Sequence, residues 1–306
     1  MPADTTDHRP LMREGLPPPS LPPWRRALRR ALVQRQVRVG LVLLGTIAVL
    51  SLLAPLLAPH DPYQLDPGLD LNPPSTLHWL GTDGDGADIF SRLLFGGRVS
   101  LQVALGAVGL QLGLGVSLGL VMGWSGGWLD RALLLLTELL QAFPGMLVPL
   151  LLSAFVLERG AGMVVLALAV SGWIGYARVT RAEVRRMRGL EYILAAEATG
   201  IPTFQILWKH LLPGALPVLL VQASFGLGHA VLAEAGLSFL GLGVAPETPS
   251  WGNMLAQGRH YLLVAPQLSI YPGMSIAVLV MGFQLVGDGL YAALDPRQVV
   301  APGSTR

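Results

Sequence analysis

Cysteine is missing from this sequence altogether. Its absence excludes disulfides, thiol catalysis and cysteine-ligated metal, and leaves the compartment open. Lysine occurs once, at Lys209, behind Ile206, Leu207 and Trp208 instead of a glycine-rich loop. A phosphate-cradling GxxxxGK[ST] loop therefore cannot form, and nucleotide binding by that route is excluded. Charged residues are scarce, at 13% against about 25% in soluble domains. The net charge of +2 is too small to suggest nucleic-acid binding. No HExxH pair occurs, and the six histidines (His8, His60, His78, His210, His229 and His260) are scattered along the chain. Neither a metal site nor an acid–base cluster is visible, so no catalytic group, metal or cofactor is expected in this chain.

What the chain has instead is apolar length. Hydrophobic residues make up 52% and mean hydropathy is +0.54. Several runs reach the ~20 residues needed to cross a ~30 Å hydrocarbon core. Six spans are read: Val39–Pro59, Val99–Gly123, Ala132–Leu157, Gly162–Ala177, Gly214–Ala233 and Leu268–Leu294. The expected fold class is an all-α membrane protein with six transmembrane helices. Residues 1–38 form an inner tail, its first 23 residues proline-rich; Trp24–Arg38 is a basic helix suited to an anionic headgroup layer. Residues 39–59 are the first crossing, 60–98 an external loop, 99–294 the core, and 295–306 an inner C-terminal tail. The run after Arg38 is too long for the h-region of a cleavable signal peptide.

Arginine and lysine placement sets the orientation. With the N-terminus inside, inner segments hold seventeen basic residues and outer segments four. Both termini are therefore expected in the cytoplasm. The spacing Gly109–Gly113 and Gly115–Gly119–Gly123 gives the second span either a face where another helix can approach closely or only the glycine enrichment usual in membrane helices. Pro144 and Pro149 interrupt the third span and mark it either as a candidate wall of a pathway or as an ordinary kinked helix. His229 and Glu234 are ionisable groups late in the fifth span, where a transport role competes with a structural hydrogen bond. Ser224, one or two turns before His229, raises an intramembrane serine hydrolase as a rival, although no nucleophile elbow surrounds it. In the outer loop Ala235–Gln267, the sequence fits either a short re-entrant or interfacial helix that receives a binding protein or simple membrane-surface packing, and Trp251 reads as an interfacial anchor.

Between the fourth and fifth spans lies a polar island, EYILAAEATGIPTFQILWKHLLP, from Glu191 to Pro213. A short helix with small residues Ala195, Ala196 and Ala198 should stop at Gly200, a natural left-handed cap, with Pro202 preventing continuation. A second amphipathic turn, Phe204–His210, leads to Pro213. Such a helix-turn-helix at a membrane surface suits docking into another protein's groove.

This segment resembles the EAA loop of permease subunits of ATP-binding-cassette importers. Ala195, Ala196, Gly200, Leu212 and Pro213 fall on the pattern, whereas Leu194 replaces its glutamate and His210 occupies an apolar position. Glu191 and Glu197, one turn to either side of Leu194, are candidate substitutes. LLAPHDPY, HWLGTDGDGADIFSRLLFGGR, GWSGGWLDR, LLQAFP, AEAGLSFLGLGV, PSWGNML and GDGLYAALDPR extend the likeness to the C-type permeases of dipeptide, oligopeptide and nickel importers. Ala87 stands where that family usually carries arginine.

The resemblance implies the type I (MetI-like) importer permease fold, with a coupling loop at about 178–213. It also implies a B-type permease as heterodimer partner, one or two cytoplasmic ATPase chains holding ATP and Mg²⁺, and an external solute-binding protein. The location implied is the bacterial inner membrane. Di- or oligopeptides are the expected cargo, with nickel or another chelated metal as the alternative. A passive channel is the remaining rival class.

Overall fold

The computed structural model describes residues 23–155 and 159–294. Residues 1–22 and 295–306, with Leu157 at the end of the third expected span, lie outside the described residues. Those described are all-α, with one isolated bridge between Thr82 and Asp88 and no strand. The order is α1 (Pro23–Val33), α2 (Arg35–Leu52), α3 (Ala54–Leu57), α4 (Ile89–Ser125), α5 (Gly127–Gln141), α6 (Leu147–Phe155) and α7 (Ala161–Arg188). After these come α8 (Glu191–Ala198), α9 (Thr203–Ile206), a π turn (Leu207–Leu211), α10 (Leu212–Phe239), α11 (Trp251–Gly258) and α12 (Gln267–Leu294).

Among the described residues, five helices are long and apolar enough to cross a membrane: α2, α4, α7, the continuous run Thr203–Phe239, and α12. The third expected span is not one helix. It divides into α5 and α6, each short of the ~20 residues a crossing needs. Pro144 lies in the break, where its missing N–H and the restriction it places on Phe143 stop propagation. Pro149 breaks nothing, because it sits in the first turn of α6, where no intrahelical acceptor awaits its N–H.

Two helices outrun their apolar stretches because tertiary partners hold their polar turns. α4 starts ten residues before Val99, capped by Asp88, whose Oδ2 accepts the Ser91 N–H at 2.8 Å. Its first turn buries Arg92, which is paired with Asp83. α7 continues past Ala177 to Arg188, so the first third of the expected coupling loop is helix.

The core is built on α4 against α7 and α10 against α12, with α2 packed on α12. On α4 the glycine face divides. A Cβ on Gly115 or Gly119 would lie 2.5 Å from the Trp173 carbonyl oxygen or 2.6 Å from that of Ala177, and one on Gly123 only 3.0 Å from that of Arg181. Only glycine lets α7 come that near. Gly109 and Gly113 face open space and take no part. Trp251 is not an interfacial anchor: it is buried, and its indole N–H donates to the Leu93 carbonyl at 2.9 Å, bracing α11 against α4.

Candidate functional site

The elbow between α7 and α10 is built from local rules. α8 ends in a Schellman cap: the Gly200 N–H donates to the Glu197 carbonyl at 3.0 Å and the Ile201 N–H to that of Ala196 at 3.2 Å. Gly200 adopts φ +77°, the left-handed conformation that its position calls for. Pro202 follows as the N-cap of α9. The chain then passes through the π turn, where the Leu212 N–H reaches back to the Leu207 carbonyl. Pro213, which brings no N–H, opens α10 directly after it.

The three alanines separate. Ala196 and Ile193 are buried and seat α8 on the bundle, whereas Ala195 and Ala198 are exposed beside Glu191, Tyr192 and Leu194. Phe204 and Trp208 stack at 6.3 Å and are also exposed, so the elbow presents an apolar outer surface. His210 and Leu212 are half-buried, and the His210 ring centroid lies 6.5 Å from that of Tyr192. Glu197 turns inward, with Oε1 3.5 Å from Arg188 Nε. Glu191, by contrast, is exposed on the outer surface of the elbow.

Behind the elbow an arginine cluster ties α7 to α5. Arg181 grips Asp130 with two hydrogen bonds, 2.6 and 2.9 Å, and Arg185 adds a third at 2.5 Å. The Arg181 hydrogen bond holds the Asp130 carboxyl below its ordinary value of 3.8; burial opposes this, and the Arg181, Arg185 and Arg131 charges add to it. Arg188 lies over the Trp124 ring at 4.6 Å and donates to the Trp124 carbonyl at 2.5 Å, reaching the end of α4.

Deeper in the bundle lies a cavity of about 500 Å³ between α4, α6, α7 and α10. His229 and Pro149 share its wall with Gln111, Gln222 and Tyr176. The Tyr176 hydroxyl is buried and has no protein partner. Gln111 donates to the Leu168 carbonyl at 3.0 Å, leaving its own carbonyl oxygen free. Pro144 is exposed at the helix break and does not line this space.

Ser224 and Glu234 belong elsewhere. The Ser224 hydroxyl donates to the Leu220 carbonyl at 3.0 Å, one turn back in its own helix. No base holds that hydroxyl, and the geometry offers no nucleophile. Glu234 is fully buried and accepts from Ser100 at 3.1 Å and Ser238 at 2.9 Å, joining α10 to α4. Gln111, Gln222 and Tyr176 were missed in the sequence; two lone glutamines inside apolar runs were the available signal.

Comparison with known proteins gives a consistent result. Residues 115–300 match the family described as binding-protein-dependent transport system inner membrane component, and residues 22–74 the N-terminal transmembrane domain of oligopeptide transport permease C. A dipeptide transport system permease protein of Alkalihalophilus pseudofirmus is 37% identical over 95% of this chain and 98% of its own. An oligopeptide transport system permease protein of Bacillus subtilis is 35% identical over 91% of each chain. A nickel transport system permease protein of Escherichia coli is 37% identical over 86% of this chain and 95% of its own.

Proposed function

The chain belongs to the family of inner membrane components of binding-protein-dependent transport systems, and we propose that it forms half of the translocation pathway of an ATP-driven importer of short peptides. The other half is a B-type permease. One or two ATPase chains dock on the elbow from the cytoplasm, where both termini also lie, and an external solute-binding protein delivers cargo. The observation carrying this reading is the elbow itself: a capped helix seated by Ile193 and Ala196 that offers Tyr192, Leu194 and Ala195 outward, with Phe204 and Trp208 exposed after it. An apolar surface of that form fits a groove on a partner. A passive channel has no use for one.

ATP binding closes the ATPase pair and carries the two elbows with it. The elbow continues through the π turn into α10 and hands its motion to α7 and α4 through Arg188. Tilting these helices alternates the access of the cavity. The switch is driven by the unequal fit of nucleotide and cargo to the two states. Glu191, the outward carboxylate, takes the place of the glutamate that Leu194 replaces.

Peptide is favoured as cargo because the cavity wall offers unspent backbone-like partners: the Gln111 carbonyl, the Gln222 amide and the Tyr176 hydroxyl. The names of the dipeptide and oligopeptide relatives point the same way. The test is reconstitution of the chain with its partner chains in proteoliposomes. ATPase activity stimulated by peptide-loaded binding protein, lost with Ala195→Asp while basal hydrolysis persists, is the expected result. Nickel uptake without peptide uptake would reassign the cargo. Normal coupling in the variant would overturn the docking assignment.

A further inference from the structure

Three side chains converge in the external loop, away from the cavity described above. His60 follows α3, His78 lies in the turn before Gly81, and Asp88 caps α4. One ligand-competent atom from each lies within 4.8 Å of the other two. His78 Nδ1 is 3.0 Å from Asp88 Oδ1, and His60 Nδ1 is 3.9 Å from the same oxygen. The rings stack, with centroids 4.5 Å apart and 26° between planes.

Two ligands each about 2 Å from a tetrahedral ion sit roughly 3.3 Å apart. The two separations bracket that figure. Asp88 is oriented for the task, since its Oδ2 is occupied by the Ser91 N–H at 2.8 Å and the Ser91 hydroxyl at 2.7 Å. Only Oδ1 is left to face the imidazoles. The same Ser91 oxygen accepts the His60 backbone N–H at 3.2 Å, so one buried hydroxyl steadies two ligands.

A hydrogen bond to Asp88 accounts for His78 without any ion, but it leaves His60 unexplained. His60 Nδ1 is buried with no hydrogen-bond partner, a costly arrangement for a polar atom. The residues named here do not wall the cavity between α4, α7 and α10, so the cluster is a separate place in the fold. Imidazole and carboxylate together suit a divalent transition ion of borderline softness.

We propose that His60, His78 and Asp88 bind a resident divalent transition ion, Zn²⁺ being the best match. Its remaining coordination position faces a cavity of about 160 Å³ walled by Asp61, Gln64 and Asp66. The ion fastens the loop after α3 to the start of α4. The proposal stands apart from the choice of cargo.

The experiment uses the assembled transporter in detergent, stripped with a chelator and then dialysed against Zn²⁺. Metal per complex is measured by mass spectrometry and affinity by competition with a chromophoric chelator. Wild type should hold one ion per permease chain more than His60→Gln, whose lost side chain makes no hydrogen bond and leaves the fold intact. His78→Gln should weaken binding beyond the roughly 10–100-fold cost of losing an outer-shell partner. Co²⁺ substitution should give a visible absorption band that His60→Gln abolishes. Equal metal content in wild type and the His60→Gln, His78→Gln double variant would overturn the proposal, as would retention of the band.

Discussion

Glu197 and Arg188 join the elbow to the long helix before it: their side chains approach to 3.5 Å across the turn at Gly189 and Leu190. Arg188 also stacks on Trp124, so one guanidinium bridges α8 and the end of α4. Its exposure limits its worth to stability, about 0–1 kcal/mol for such a pair. Arg188→Ala should therefore leave the unfolding temperature nearly unchanged while peptide-stimulated ATPase activity falls about tenfold. Arg188→Lys should not rescue it, because lysine lacks the planar fork that stacks and bonds at once. Wild-type coupling in both variants would remove Arg188 from the transmission route.

Asp130 makes a pH prediction. Its folded-state pKa is depressed, chiefly by the Arg181 hydrogen bond, so its stabilisation is complete above the ordinary carboxylate value of 3.8. It is lost as pH falls through the lower folded-state value. Asp130→Asn should destabilise by about 2 kcal/mol at neutral pH, the scale of a hydrogen bond to a charged group. The gap between wild type and variant should close below the carboxylate range. Thermal unfolding in detergent across pH measures this; a gap constant with pH would contradict it.

The glycine face of α4 predicts a position-dependent penalty. Gly119→Val crowds the Ala177 carbonyl and Thr180, at a cost of about 1–3 kcal/mol. Gly113→Ala meets nothing within 4 Å and should be neutral or slightly stabilising. A reversed order of unfolding temperatures would show that α7 does not lie on this face.

Glu234→Ala strands the Ser100 and Ser238 hydroxyls and opens a void. A loss of about 3 kcal/mol is expected. Tyr176→Phe removes one cavity hydroxyl that bonds nothing in the protein, so it should spare stability and raise the peptide concentration for half-maximal uptake. Unchanged uptake would take Tyr176 out of the cargo wall.

Apolar runs made the crossing helices legible, and Gly200 with Pro202 marked the elbow, because both signals are local. Helix ends were less legible. Arg92 and Arg181 look like loop residues until Asp83 and Asp130 arrive from elsewhere to hold them in helix. The spacing of glycines located a close-packing face without telling Gly113 from Gly115, since period alone does not say which neighbour is present. Trp251 read as an interface residue because tryptophan favours that layer, yet its N–H found the Leu93 carbonyl inside. The scattered histidines hid a cluster for the same reason: His60, His78 and Asp88 meet only once the loop after α3 folds back on α4.

The length of α4 has a mechanical consequence. At 37 residues without a proline it is a rod about 55 Å long, far beyond the hydrocarbon thickness. One tip touches Arg188, and the other carries the Asp88 cap. A pivot of about 5° at one end therefore swings the other by roughly 5 Å, given the rise per residue. Events at the elbow and at the loop before α4 are linked by a single lever, with no relay between them.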